Sequence, residues 1–271
     1  MTRPEEFRNI VYTAYEKAGR SFPWRDNLAP WGILVSEIML QQTQTERVVL
    51  YWKRWMEKWP SPAALAEAPL EEVLKEWSGL GYNRRCRYLK ECALRIVRDF
   101  DGTVPAAPGL LTELPGIGPY TAGAIACFAY NFPSVFIETN IRSVMLHFFF
   151  QGQEGITDRQ ILPVIESTLD LSNPRRWYWA LMDYGAVLKK NSPNPARRSA
   201  HYKKQSAFSG SLRQIRGSLV RALVSSGRAT ADELRIRMDV PSGETDFYTA
   251  LKALCKELLV TEEGGEYRIR N

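Results

Sequence analysis

Apolar residues recur at three- and four-residue spacing through almost all of the first 190 positions, as amphipathic helices require. Ile33, Leu34, Ile38 and Met39 form one such stripe; Val48, Val49, Trp52 and Trp55 form another. The strict alternation of half-buried strands is scarce there. Turn signals break the pattern often, as at Trp59-Pro60-Ser61-Pro62, Gly79-Leu80-Gly81, Asn131-Phe132-Pro133 and Ser172-Asn173-Pro174. The spacing predicts roughly ten short helices in this region. A polar, basic, proline-containing stretch over 191–211 reads as a linker or surface loop. Beyond it, helices are predicted over 215–223 and 245–259. A further helix opens at Thr230, with Glu233 at the capping-box position. Leu259-Val260-Thr261 and Tyr267-Arg268-Ile269 flank Gly264-Gly265, a hairpin signal.

Three helices followed by a hairpin resemble a winged-helix domain. The expected organisation is therefore mainly α, with a large helical domain over 1–205 and a small winged-helix-like domain over 206–271. The chain has 271 residues, 45% of them hydrophobic, enough for a substantial core. No apolar run approaches the length of a membrane span, and the residues after Met1 form no secretory signal, so a cytoplasmic protein is expected.

Charge adds a partner class. The net charge is +6, which favours a polyanionic partner. Lys189, Lys190, Arg197, Arg198, Lys203 and Lys204 fall within 189–204 with no acid among them. Phosphate contact is the expectation there, with a solvated loop as the alternative. From Leu212 onward ten basic residues meet nine acidic ones, so the tail is nearly neutral and its role in binding DNA stays open. The four cysteines, Cys86, Cys92, Cys127 and Cys255, have spacings that fit neither a zinc site nor an iron–sulfur cluster.

Leu114-Pro115-Gly116-Ile117-Gly118-Pro119-Tyr120-Thr121 carries the first chemical signal. Two glycines around one apolar residue permit a tight turn, and N–H groups aimed along a helix start form an anion site. A plain helix–helix turn would look the same. Glu37 is the second signal. It lies in an apolar helical stretch, and burial there would raise its pKa and keep it protonated as an acid. An exposed glutamate on a helix face is the alternative. Glu138 follows Val135-Phe136-Ile137 and precedes Asn140; it can cap a helix, place a carboxylate, or do both.

Five blocks occur in an order that resembles the helix-hairpin-helix DNA glycosylases over roughly residues 5–190. They are Pro23-Trp24-Arg25, Ser36-Glu37-Ile38-Met39-Leu40-Gln41-Gln42-Thr43, Gly79-Leu80-Gly81-Tyr82-Asn83-Arg84-Arg85, the Gly116–Gly118 hairpin and Glu138-Thr139-Asn140. The resemblance is closest to the adenine DNA glycosylases of the MutY type. It implies two helical subdomains with a cleft, double-stranded DNA carrying a mismatched or damaged base as partner, and a monomer. It implies that Glu37 protonates the adenine of a flipped nucleotide. It places Glu138, with Asn140 beside it, where the family has an aspartate facing the deoxyribose. Tyr120 stands where bifunctional relatives such as endonuclease III carry a Schiff-base lysine, which implies hydrolysis without lyase chemistry. Gln42 and Tyr82 match positions that enter the base stack, and Gln41 is expected to contact DNA beside them. Arg84 and Arg85, with Gly116 and Gly118, match phosphate-contacting segments. Trp24, Arg25 and Trp179 fall at the base pocket, Trp179 near a place where some relatives carry Glu or Gln.

The chain also departs from that family. Lys189 stands where the first cysteine of a 4Fe–4S cluster would align, so neither a cluster nor any other metal cofactor is expected, and the basic loop takes over DNA contact. The β-rich C-terminal domain that recognises 8-oxoguanine in the family is replaced by the winged-helix-like tail. The leading expectation is a monofunctional adenine glycosylase acting on A:G or A:8-oxoG. A glycosylase for T or U opposite G, or for a deaminated or alkylated purine, is the second. A catalytically idle DNA-binding protein on the same scaffold is the third.

Overall fold

The computed structural model describes residues 3–191, 193–202 and 207–270. Lys203 and Lys204 of the expected basic loop lie outside the described residues. Twelve α-helices occupy the described part of the first 191 residues. These are α1 (Pro4–Ala18), α2 (Pro23–Asp26), α3 (Pro30–Leu40), α4 (Thr45–Lys58), α5 (Pro62–Glu67), α6 (Leu70–Trp77), α7 (Arg84–Asp99), α8 (Pro108–Thr112), α9 (Pro119–Tyr130), α10 (Thr139–Phe149), α11 (Asp158–Thr168) and α12 (Pro174–Asn191). Then come α13 (Leu212–Ser226), β1 (Arg228–Thr230), α14 (Ala231–Arg237), α15 (Glu244–Lys256), β2 (Val260–Glu263) and β3 (Glu266–Ile269).

Proline sets many of the starts. Pro4, Pro23, Pro62, Pro108 and Pro119 occupy the first helical turn, where the missing N–H is no loss and the fixed φ suits a helix. Thr230 and Glu233 form the expected capping box of α14. α9 ends on Asn131, whose φ of 56° is the left-handed conformation that closes helices.

The chain falls into two compact units that do not follow sequence order. One comprises Met1–Glu37, Pro105–Glu113 and Ile117–Lys204; the other comprises Ile38–Val104, Leu114–Gly116 and Gln205–Asn271. The C-terminal segment thus groups with α4 to α7, and α13 packs against α6.

In the first unit an aromatic cluster joins α1, α10 and α12. The Phe7 ring meets those of Phe148, Phe149 and Trp177 edge-on at 5.0 to 5.5 Å, a favoured aromatic geometry. α10 and α12 lie unusually close, because Gly185 sits at their crossing. A Cβ there would stand 2.4 Å from the Asn140 carbonyl oxygen. The segment from Asn131 to Glu138 is pinned beside them. Phe136 stacks on Tyr178 at 4.0 Å, and the Tyr178 hydroxyl donates to the Ser134 carbonyl at 2.9 Å. Within 191–211, expected as a loop, Pro195–Arg198 forms a short 3-10 helix, and Ile156 bridges to Ser199.

In the second unit Trp55 packs edge-on against Trp59 and Trp77 at 4.6 and 5.5 Å. The tail runs helix, strand, helix, helix, strand, strand, the order of a winged helix. Its sheet has the order β1-β3-β2, antiparallel throughout. β1, only three residues long, is an element of the tail that the sequence pattern did not predict.

Candidate active site

The chemistry gathers in the first unit, on α2, α3, α10 and α12. Glu37 lies in α3, half-buried among apolar neighbours. Its carboxyl is pushed up to about 8, first by burial and then by the charge of Glu138, against the opposing charge of Arg25. Low dielectric and a like charge both disfavour ionisation, so Glu37 is an acid at neutral pH.

Glu138 is the N-cap of α10. Its Oε1 accepts from the backbone N–H groups of Asn140 and Ile141 at 2.7 and 2.8 Å. Its Oε2 accepts from Asn140 Nδ2 at 3.3 Å. The cap reading and the carboxylate reading therefore coexist: N–H donors at the helix start hold an anion in place. Lys189, from the last turn of α12, donates to Asn140 Oδ1 at 2.8 Å. Asn140 is thus fixed from both ends of its amide, by a cation on one side and by Glu138 on the other. Burial lowers the Lys189 pKa, and Glu138's charge works against that. The chain Lys189–Asn140–Glu138 depends on the close approach that Gly185 permits.

Arg25 is held by Asp183. Its Nη1 and Nη2 donate to the two Asp183 oxygens at 2.8 and 2.9 Å, a bidentate pair. Arg20 also donates to both oxygens, through its backbone N–H and Nε, each at 2.8 Å. Asp183 is 4% exposed. Burial pushes its pKa up, but the hydrogen bond and charge of Arg25, aided by Arg20, outweigh it and lower the pKa. The Arg25 guanidinium lies 5.3 Å from the Trp179 ring centroid and 5.0 Å from that of Phe22. Trp179 also stacks on Phe128, and the buried Trp24 stacks on Phe22 at 5.2 Å. So Trp24, Arg25 and Trp179 come together. Asp183, the anchor of that group, was quoted in no functional role by sequence reasoning.

Tyr120 stands in the first turn of α9 and is 47% exposed. Gly118 is the N-cap of that helix, with open space where a Cβ would lie. Gly116 needs to be glycine on two counts: its φ is 77°, and a Cβ would come within 2.8 Å of Tyr88.

The remaining expected DNA contacts divide. Arg84 is exposed at the start of α7, and Gln41, Gln42 and Tyr82 line a cavity of about 280 Å³ in the second unit. Arg85 is turned inward. It is 8% exposed, and its guanidinium donates to the carbonyls of Ile38 and Met39 at 2.9 and 3.0 Å and to those of Leu80 and Gly81 at 3.2 Å each. It ties the end of α3 to the Gly79–Gly81 turn. Arg198 likewise donates to Leu146 and Phe150 carbonyls, closing the C-terminus of α10. Lys190 and Arg197 are exposed.

Cys86 and Cys92 lie on α7, Cys127 on α9 and Cys255 on α15. Burial pushes the Cys92 and Cys127 thiols up to about 12. Among the described residues no group of three or more His, Cys, Asp or Glu is placed to hold a metal ion.

Helical layers, a glycine hairpin and two apposed carboxyls define a class: a family model described as HhH-GPD superfamily base excision DNA repair protein matches residues 35–166. Similarity extends further. Over 268 residues the chain is 35% identical to the adenine DNA glycosylase of Mycobacterium tuberculosis, covering 91% of this chain and 88% of that one. Over 244 residues it is 37% identical to the adenine DNA glycosylase of Mycolicibacterium smegmatis, covering 83% and 82%. The chain belongs to the adenine DNA glycosylase family of this superfamily. A solved thermostable thymine-DNA glycosylase shares the fold, with a TM-score of 0.64 at 24% identity, covering 71% of this chain and 90% of that one. No helix among the described residues is long and apolar enough to cross a membrane.

Proposed function

We propose that this protein is a monofunctional adenine DNA glycosylase that removes adenine mispaired in duplex DNA, opposite guanine or 8-oxoguanine. The observation that carries the proposal is Glu37, protonated at neutral pH in the field of a second carboxyl, Glu138. Two carboxyl groups with different roles are the general device for glycosidic cleavage. With adenine flipped beside α3, Glu37 gives its proton to a ring nitrogen of the base. The C1′–N9 bond breaks, and its electron pair leaves with the now neutral purine. The sugar becomes an oxocarbenium ion, which the Glu138 carboxylate stabilises. Water adds to C1′, and the proton it loses restores Glu37.

Asn140 orients the Glu138 side chain, and Lys189 in turn fixes Asn140. Arg25, fixed by Asp183, sets one wall of the base pocket with Trp179 and Trp24. Tyr120 offers no amine to attack C1′, so strand cleavage does not follow base release. Gly116 and Gly118 bind a phosphate at the start of α9, and Arg84, Lys190 and Arg197 add positive charge to DNA contact. Gln41, Gln42 and Tyr82 support the stack where the base has left. No iron–sulfur cluster takes part; iron analysis and a visible spectrum test this, and a strong band near 400 nm would refute it. The protein works as a monomer in the compartment that holds the chromosome.

The experiment is a duplex panel carrying A:8-oxoG, A:G, T:G, U:G and hypoxanthine:T, each incubated with enzyme and then treated with alkali. Alkali-labile sites on the A duplexes are expected. Release from T:G or U:G alone would overturn the base assignment, and strand breaks before alkali would overturn the monofunctional one.

A further inference from the structure

The winged helix turns unlike charges to its surroundings. In the common use of this fold the third helix enters a groove of DNA. Here that helix is α15, and its first turn carries Glu244 and Asp246. The wing formed by β2 and β3 carries Glu262, Glu263 and Glu266. Glu263 and Glu266 are paired with Arg268 and Arg228, and the two lysines of α15, Lys252 and Lys256, stand away from its first turn. α13 differs. Arg213 and Arg221 lie eight residues apart with Gly217 midway, so all three share one helix face. That face lines a groove of about 1000 Å³. Arg47, Tyr82 and Phe208 line it too, and Phe208 is 62% exposed.

The lining groups are mutually arranged. Arg213 Nη1 donates to the Tyr82 hydroxyl at 2.6 Å, and its guanidinium lies 5.6 Å from the Tyr82 ring centroid. Arg47 Nη1 donates to the Gly79 carbonyl at 3.3 Å, which aims it along the turn. Arg221 is steered by Asp239, both of whose oxygens accept from it at 2.8 Å. Gly217 opposes its helical setting, since glycine disfavours a helix interior. Its gain is a floor without a side chain between two arginines, where another backbone can come close.

We propose that α13 seats one strand of the DNA: Arg213, Arg47 and Arg221 take successive phosphates, Phe208 and Tyr82 stack its bases, and Gly217 admits the backbone. The winged helix thus touches DNA through its first helix and not through its third. Guanidinium groups alternating with exposed rings are the usual platform for a nucleic-acid strand. The inference rests on the DNA reading above but not on which base is removed.

The test uses the full chain and a labelled duplex holding a tetrahydrofuran abasic analogue opposite guanine, so that no catalysis is needed. Binding is followed by anisotropy across a salt series. Arg213→Ala and Arg47→Ala should each weaken binding by roughly tenfold and reduce the salt slope by about one, as loss of one phosphate contact does. Gly217→Gln should weaken binding while leaving helical content intact. Lys252→Ala, at an exposed position of α15, should leave affinity and slope unchanged. Arg47 is exposed, so its removal keeps the proposal testable if Arg213→Ala perturbs folding. Wild-type affinity and slope in Arg213→Ala, Arg47→Ala and Gly217→Gln together would overturn the proposal, as would loss of binding in Lys252→Ala alone. If adenine is not released yet the groove variants lose binding, only the base assignment above falls.

Discussion

Two buried arginines, one in each unit, show how differently the halves of this chain use the same side chain. Arg25 of the first unit is paired with a carboxylate, Asp183, and its charge still reaches Glu37. Arg85 of the second unit donates to backbone carbonyls, and burial lowers its pKa to about 10. The first is a tuned charge in a site where protonation matters. The second is a clamp on loop geometry, where only donors in the right places matter. In the first unit electrostatics sets chemistry; in the second, hydrogen bonding sets shape.

Glu37→Gln should break this contrast most severely. Loss of the general acid is expected to cost about 10²- to 10⁴-fold in single-turnover rate, with DNA affinity retained. In the wild type the rate should fall as pH rises through about 8, because Glu37 then loses the proton it must give. The sign for stability is the same. The folded-state pKa is raised, so the native state binds the proton more tightly than the unfolded one, and stability falls as pH rises between the ordinary carboxyl range and about 8. Glu37→Gln should remove that slope in thermal melts across pH. A fully active variant would end the acid assignment.

Asp183→Asn comes next. It leaves Arg25 buried without its countercharge, a loss on the order of 3 kcal/mol for a broken buried pair. A lowered melting temperature with a rate loss beyond it is the expected outcome. An unchanged melting temperature would mean that Arg25 finds water instead. Lys189→Met is the smallest effect. It frees Asn140 Oδ1 and loosens Glu138, and roughly a tenfold rate loss with unchanged salt dependence of DNA binding is expected. A lowered salt slope with unchanged rate would instead make Lys189 a phosphate contact.

Much of this was legible in the sequence, and the exceptions share a cause. The proline starts, the Thr230 capping box and the hairpin are local, and they form where the pattern puts them. The Glu37 segment carried its chemistry in its apolar setting. Asp183 did not, because its partners lie about 160 positions away, at Arg20 and Arg25. A signal was nonetheless present: one acid inside the apolar stretch from Trp177 to Ala186 must find a cation if it is buried. Arg85 also gave a readable sign. It shares the stripe of Leu89, Cys92 and Ile96, the buried face of α7. Helix periodicity turns it inward, whereas the run of arginines around it suggested a surface. β1 was too short to show alternation, and it exists because β3 offers it a partner edge.

Gln42 and Tyr82 both hold the left-handed backbone conformation, with φ of 56° and 50°. For side-chain-bearing residues this costs on the order of 1 kcal/mol each, and glycine at either place would relieve it. A search for heat-stable variants that scored folding alone would therefore be drawn to these two positions. It would recover a sturdier protein stripped of the two side chains proposed above to support the base stack. On the proposed reading, the same pair marks where selection for endurance and selection for repair pull the sequence apart.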